Sequence, residues 1–460
     1  MAEVRSPPPE GFPLSVDTLV VGAGAAGLTA ALAARDVGRE VLVLERDPVP
    51  AGSTALSAGL VPAAGTALQA AAGIEDDWQR FAADIQKKAQ GENEPALVER
   101  LAKGAAPAVE WLAARHGLPF DLVDDFDYPG HTHRRMHGLP SRSGTELVDR
   151  LRSAAETSGV DIPCGATVTT LFAAGQRIEG VALVRPDGTE ERIGCARLVL
   201  ACNGFGGNRA MVAAQMPEIA DALWFGHDGN RGEAVLWGQA LGAATRHLGA
   251  YQGHGNVAHP HGILITWATI AEGGVQVNCE GRRFWDESQG YSEAARAVLA
   301  QPGSEAFTVF DARIAGIARQ FADYRAAEAQ GAVLEGQTPE AIAAALGLPT
   351  DALAATLGAI PTGGTDAWGR HFAEPPLAPP YLGVRVTGAL FHTQGGLVTG
   401  RDARVLDDDG RAFPNLYAAG GAACGVSGSG DAGYLSGNGL LSAIVLGRLA
   451  GAAPFAPSAP

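Results

Sequence analysis

Asp17-Thr18-Leu19-Val20-Val21-Gly22-Ala23-Gly24-Ala25-Ala26-Gly27 is the stretch whose reading decides the fold. Asp17 to Val21 is a short β-forming run, and an alanine-rich segment of helical composition follows the turn to about Val37. A second apolar run, Glu40 to Leu44, ends at Glu45, 18 residues after Gly27. Together they make a strand–turn–helix–strand unit. Gly22, Gly24 and Gly27 allow a tight turn and let backbone N–H groups approach a pyrophosphate. The helix N-terminus adds partial positive charge, and Ala25 and Ala26 keep its first turn small. Glu45 is placed to accept hydrogen bonds from ribose hydroxyls. An ordinary glycine turn before a helix would leave that acid unexplained, so the constellation points to a bound dinucleotide.

Outward from this unit, the 460 residues exceed what one core organises and predict two domains, one inserted in the other. Hydrophobic residues at 46% and charged residues at 18% suit a soluble globular enzyme. A net charge of −16 with no long basic run argues against a nucleic-acid partner. Cys164, Cys195, Cys202, Cys279 and Cys424 are scattered and lack paired spacing. That argues against a structural metal or disulfide framework and for a reducing, cytoplasmic setting. Met1 to Pro13 is proline-rich and reads as a disordered arm. No stretch approaches the roughly 20 apolar residues of a membrane span.

The pattern predicts helices over about Gln69–His116 and Gly144–Ser158, with an irregular stretch rich in histidine and arginine, Phe120–Ser143, between them. Short strands fill Val160–Cys202, with a hairpin at Pro186-Asp187-Gly188. Leu198–Ala201 is a buried-strand candidate running into Asn203. A helix is predicted over Glu233–Ala244. From about Gly253 the texture changes to alanine-rich helices, including Pro339–Leu346 and Thr350–Leu357. Strands and glycine loops return near Tyr381, and a last helix covers Leu440–Ala450. The fold class is α/β: a Rossmann-like domain in two segments, 1–254 and 386–460, with an α+β domain, 255–385, inserted. Just before the last helix, the segments from Leu416 to Gly420 and from Gly437 to Leu440 offer a second helix N-terminus. It suits the electron-rich edge of a flavin ring better than any need of NAD, which favours FAD.

At these residues the chain resembles the fumarate reductase and succinate dehydrogenase flavoproteins, and within them the 3-ketosteroid dehydrogenases. The resemblance runs over nearly the whole chain. Its anchors are the Gly22–Gly27 turn with Glu45, the loop Gly52–Gly59, His259-Pro260, the segment Val277–Glu287, His392–Gly396 and the C-terminal glycine segment. It implies FAD held by Gly22, Gly24, Ala25, Ala26, Gly27, Glu45, Arg46, Ser53, Thr54, Ser57, Ala58, Gly59, Val168, Asn203, Gly420, Asn438, Gly439 and Leu440. Family members with covalent FAD carry a histidine in the loop after the second strand; Ala51–Gly59 has none, which implies non-covalent FAD.

The departures from the family pattern concern the chemistry. Soluble fumarate reductases place arginines where this chain has Tyr291 and Tyr434, and a proton-relaying glutamate where it has Trp267. Tyrosines at both places resemble the ketosteroid dehydrogenases, and Tyr434-Leu435-Ser436-Gly437 is like those that desaturate the bond at the ring junction. Asp127-Tyr128-Pro129 resembles the segment carrying their supporting tyrosine. His259 and His392 match dicarboxylate-contacting histidines of fumarate reductases. This mixture implies a cyclic ketone as the small-molecule substrate, either 3-ketosteroid-like or, favoured, a smaller oxo-acid such as an oxocyclohexane carboxylate.

Desaturation beside a ketone removes an α-proton and a β-hydride, so it needs a base and donors for the developing enolate oxygen. Tyr291 is assigned as base, helped by Tyr128 or a nearby histidine. Tyr434 and the Gly437 N–H are assigned to the carbonyl oxygen, and His259, His392 and Ser436 to substrate binding. A surface position for Tyr291 and purely structural hydrogen bonding for the two histidines are the competing readings. The cluster His131, His133, Arg134, Arg135 and His137 fits a substrate carboxylate or a solvated loop equally. Asp286-Glu287 is assigned to a structural salt-bridge network. Reduction of an activated alkene acid and a non-catalytic electron-transfer subunit are the alternative functions. The electron acceptor is not legible in the sequence.

Acid precipitation of the purified protein is expected to release intact FAD into the supernatant; yellow colour retained in the pellet would contradict non-covalent binding.

Overall fold

Glycine and alanine bring the two ends of the chain together. In the computed structural model, which describes residues 2–124, 128–372 and 375–454, the first helix spans Ala25–Asp36 and the last spans Asn438–Ala452. A Cβ at Gly447 would lie 2.5 Å from the Ala26 carbonyl oxygen, and one at Gly451 would lie 2.1 Å from that of Ala30. The helices therefore meet at backbone distance, along a seam of small residues four apart. The alanine richness of the sequence is the packing surface of this pair. Arg39 donates to the carbonyls of Gly451 and Ala453, and Arg197 to those of Ala450 and Pro454, so two buried guanidinium groups satisfy the C-terminal end of the last helix.

The chain divides into two compact units, the first comprising Met1–Gln215, Gly226–Tyr251 and His392–Pro460. Its parallel core aligns Val41–Leu44, Leu14–Val21, the C-terminal half of Glu190–Leu200, and Ala412–Ala418. The paired cores of these strands, Leu19–Val21, Val41–Leu44, Leu198–Leu200 and Leu416–Ala418, are buried and apolar, as a sheet covered on both faces requires. Leu19, Val20, Leu198, Val199 and Leu416 are fully buried with Leu28 and Ile444 of the two helices. The Rossmann-like α/β unit read from the sequence is present. The hairpin is too: Arg177–Val184 pairs antiparallel with Glu190–Leu200 around Pro186-Asp187-Gly188.

Two readings need correction. Residues Glu3–Arg5 are no disordered arm; they form a parallel edge strand on Thr170–Phe172, and Val4 packs on the core. Proline density outweighed a strand only three residues long. The last helix starts at Asn438 rather than Leu440, because Gly437 supplies the left-handed N-cap (φ 87°). Asn438 and Gly439 are thus in its first turn.

The second unit comprises Met216–Phe225 and Gln252–Phe391. Its sheet runs in the order Ile263–Leu264, Tyr251–Ala258, Tyr381–Thr393, Glu305–Asp311, Val275–Val277. Leu223–Trp224 also pairs with Tyr381–Thr393, which brings in a segment that the sequence pattern did not separate from the first unit. Asn256, Gln276 and Thr308 form a buried polar lattice across three strands of this sheet. Asn256 accepts from Thr308 at 2.6 Å, and Gln276 donates to the Gly255 carbonyl at 2.8 Å. Such networks fix strand register, since a slip of one residue would strand every partner.

Alanine in mid-helix is ordinarily ~1 kcal/mol more stable than glycine. Gly447→Ala is expected to do the reverse and lower the unfolding free energy by about 1–3 kcal/mol in denaturant titrations. Unchanged or raised stability would show that the two helices do not meet at backbone distance.

Candidate functional site

The glycine turn lies at the carboxyl ends of the parallel strands, where open α/β sheets bind ligands. A Cβ at Gly22 would meet the Ala201 carbonyl oxygen at 2.6 Å, and one at Gly27 the Gly22 carbonyl oxygen at 1.8 Å. These two glycines make the turn. Gly24 is different: its Cβ would meet only the Thr54 hydroxyl, at 3.4 Å, so the missing side chain leaves open space. The first helix has no side-chain cap and no acid in its first turn, so its N-terminal positive charge is left for an anion. Glu45 is buried and accepts from the N–H groups of Ala23 (2.7 Å) and Asp47 (3.0 Å), leaving further lone pairs for hydroxyl donors.

The surrounding residues form one hydrogen-bonded frame. Thr54 accepts from the Ala25 N–H at 3.1 Å. Ser53 accepts from both Asn203 (2.9 Å) and Asn230 (2.8 Å). Asn203 has a left-handed backbone (φ 66°), which Asn tolerates best among residues other than glycine. Arg46 pairs with Glu233 at 2.7 Å. The Ser57 hydroxyl donates to the Thr54 carbonyl and accepts from the Gly59 N–H, and Gly59 abuts the Ser143 carbonyl. Gly420 fits against Ala26, Val168 is buried in the strand Thr167–Ala174, and Ala58 is exposed. These features suit a dinucleotide with its pyrophosphate on the turn.

The N-terminus of the last helix is also without a side-chain cap or first-turn acid. Its Asn438 is buried with an unpartnered Oδ1, an acceptor suited to a polar ligand edge. Tyr434 is buried beside it. Desolvation pushes its hydroxyl up to about 12, although the N–H groups of Gly437 and Gly439 face it. It is therefore a neutral O–H at physiological pH. The Gly437 N–H assigned to a substrate oxygen is turned toward this hydroxyl. His392 is half-buried; enclosure lowers its pKa to about 4, opposed by the Thr393 backbone. Leu440 is half-buried in the first turn of the same helix.

Ser436 is buried, and its carbonyl accepts from His131 Nε2 at 2.9 Å. The basic cluster divides between interior and surface. Arg135 is fully buried and pairs with Asp76 (2.8 Å) and Asp84 (2.6 Å), with the Phe81 ring under its guanidinium. His137 bonds Thr66 and the Arg135 carbonyl. His131, Arg135 and His137 thus form an interior support beneath the Ser436 turn, while His133 is half-buried and Arg134 exposed. Tyr128 packs beside Leu60, Val123 and Met136, while Asp127 lies outside the described residues.

In the second unit Tyr291 opens the helix Tyr291–Leu299. Its ring stacks on His254 (5.1 Å), His254 on Phe391 (5.4 Å), and Phe391 on Phe225 (4.7 Å). Trp267 stands edge-on to both His254 and Tyr291. Burial alone drives His254 down to about 3, so it is a neutral ring. Its Nδ1 accepts from the Asn256 N–H, which leaves Nε2 as the protonated donor. His259 is not part of this stack; it pairs with Glu305 at 3.2 Å, its side chain 42% exposed. The sequence reading missed His254. Strand periodicity was the available signal: residues an odd number apart face opposite sides. Glu287 is buried between Arg283 and Arg370, a structural ion cluster.

The FAD binding domain family model matches residues 17–440. The probable fumarate reductase Ifc3 of Shewanella frigidimarina is 34% identical over 95% of this chain and 74% of its own length. The 3-ketosteroid-delta4-(5alpha)-dehydrogenase structure from Rhodococcus jostii RHA1 superposes with a TM-score of 0.77 at 25% identity, covering 97% of this chain and 99% of that one. The 4-oxocyclohexanecarboxylate 2-dehydrogenase of Sinomonas cyclohexanicum is 25% identical over 88% of this chain and 87% of its own. The chain belongs to the FAD-binding family of fumarate reductase and ketosteroid dehydrogenase flavoproteins and is an FAD-dependent oxidoreductase. Among the described residues no helix is long and apolar enough to cross a membrane.

Arg135→Met would leave Asp76 and Asp84 buried without their cation. It is expected to cost about 3–5 kcal/mol in denaturant unfolding, since breaking a buried pair strands its partner. A loss under ~1 kcal/mol, the scale of a surface pair, would contradict this buried network.

Proposed function

We propose that this FAD-dependent oxidoreductase desaturates a cyclic ketone next to its carbonyl, with a one-ring oxo-acid of the oxocyclohexane-carboxylate kind as the favoured substrate. The observation that carries the reading is the aromatic setting of Tyr291 beside an uncharged histidine, together with a buried tyrosine hydroxyl at 434. Tyr291 lies in a stack with uncharged His254, and Tyr434 is a buried neutral O–H. Neutral donors suit a ketone oxygen, which becomes negative only as the α-proton leaves.

Tyr291 takes the α-proton as a phenolate, or passes its own proton on through a relay as the α-proton arrives. Its place at the first position of a helix favours negative charge on its side chain, and the flat rings around it suit an alicyclic substrate. Tyr434 donates to the carbonyl oxygen, and the Gly437 and Gly439 N–H groups facing its hydroxyl hold that hydroxyl and make it a better donor. His392 donates from Nε2 to a second substrate oxygen. FAD, when bound, supplies the acceptor for the β-hydride, so the substrate loses one proton and one hydride and gains one C=C bond. The Sinomonas relative named for 4-oxocyclohexanecarboxylate supports the one-ring substrate.

Reduction of an activated alkene acid is the second reading. The relative named as a probable fumarate reductase favours it, as does the retained His392. In it Tyr291 would return a proton rather than take one.

Tyr291→Phe, assayed on a panel of cyclic ketones and oxo-acids with an artificial electron acceptor, is expected to lower kcat by about 100-fold or more. Undiminished turnover would remove Tyr291 from proton transfer.

A further inference from the structure

Four buried or half-buried side chains in the first unit form a hydrogen-bond chain with a single direction. Asn438 Nδ2 donates to Ser427 Oγ at 3.1 Å, and Ser427 Oγ donates to Gln394 Oε1 at 3.0 Å. Gln394 Nε2 then meets His392 Nδ1 at 2.8 Å. An amide nitrogen can only donate, so His392 Nδ1 must accept. A neutral imidazole has one N–H, and here it is forced onto Nε2. Neutrality holds because enclosure puts the ring's pKa near 4.

Gln394 is itself fixed. Its N–H donates to the Ala250 carbonyl at 2.8 Å, its carbonyl accepts from the Gly425 N–H at 2.9 Å, and the residue is 4% exposed. Ser427 and Asn438 are each 1% exposed, so water does not compete for these bonds. The chain begins at the first residue of the last helix, whose side-chain amide donates through Nδ2 while its Oδ1 stays unpartnered.

We propose that Gln394 is a positioning residue that locks His392 in the Nε2–H tautomer, through an Asn438–Ser427–Gln394 relay anchored on the last helix. His392 is then a hydrogen-bond donor from Nε2 toward an acceptor oxygen, a ketone or carboxylate oxygen, while its one ring lone pair, on Nδ1, is engaged by Gln394. The consequence for substrate rests on the role given to His392 under the proposed function; the lock itself does not.

The test is ¹⁵N NMR of the histidine-labelled FAD-bound protein, with His392→Gln used to assign the signal. The wild type is expected to show Nδ1 unprotonated and Nε2 protonated. Gln394→Glu replaces the donor by a carboxylate that only accepts, so it is expected to move the proton to Nδ1. Gln394→Met removes the donor and is expected to give a mixed tautomer. An Nδ1–H wild type, or a tautomer unmoved in both variants, would overturn the lock. Turnover is read in parallel on the same samples. A switched tautomer with kcat/KM lowered about 100-fold, as for a lost oxyanion donor, supports both lock and substrate contact. A switched tautomer with unchanged kcat/KM supports the lock and removes His392 from substrate binding.

Discussion

The backbone contact between the first and last helices is the constraint on which the rest of the first unit depends. Glycine at 447 and 451 removes side-chain atoms that would collide with the first helix's carbonyls and hold the helices apart. Segments more than 400 residues apart in sequence, at Gly24 and Gly437, then become neighbouring parts of one unit, each offering an uncapped helix N-terminus. Two such termini supply positive potential without a single lysine or arginine side chain. The arginines nearby serve the other ends of these elements: Arg39 and Arg197 satisfy the last helix's carbonyls. Cation placement and dipole direction therefore agree at the last helix.

Charge is also excluded where chemistry is assigned. His131, His254 and His392 are pushed to about 4, 3 and 4, each chiefly by burial. Each has a neighbour that uses one ring nitrogen: the Ser436 carbonyl, the Asn256 N–H and the Gln394 amide. The two acceptor nitrogens, on His254 and His392, face fixed donors, so both rings present Nε2–H. Arginine at 291 and 434 would have made these regions cationic and suited to a dianion. Tyrosine at both makes them polar but uncharged, which fits an oxygen that gains charge only during reaction.

Much of this was legible in the sequence because it depends on local backbone needs. Gly22, Gly27 and Glu45 announce themselves by spacing, and the hairpin at Asp187-Gly188 by turn chemistry. The last helix was placed two residues late because Asn438 and Gly439 have poor helix propensity, which the left-handed Gly437 cap overrides. The site was less legible where tertiary burial decides. His254 and His259 look alike in sequence, yet one is packed among the rings of Trp267, Tyr291 and Phe391 and the other pairs with Glu305 at the surface. Arg135 read as available for a ligand because its partners, Asp76 and Asp84, lie more than 50 residues away. Gln394 carried no signal at all, since its importance lies in which atom of His392 it meets.

The central claim is the direction and class of the reaction, and the two half-reactions separate the readings. Oxidised holoenzyme is mixed anaerobically with 4-oxocyclohexanecarboxylate, and dithionite-reduced holoenzyme with fumarate, while flavin absorbance is followed. The account predicts that the oxo-acid bleaches the flavin with formation of an enone and that fumarate leaves the reduced flavin unchanged. Rapid reoxidation by fumarate, with no bleaching by any cyclic ketone, would contradict it.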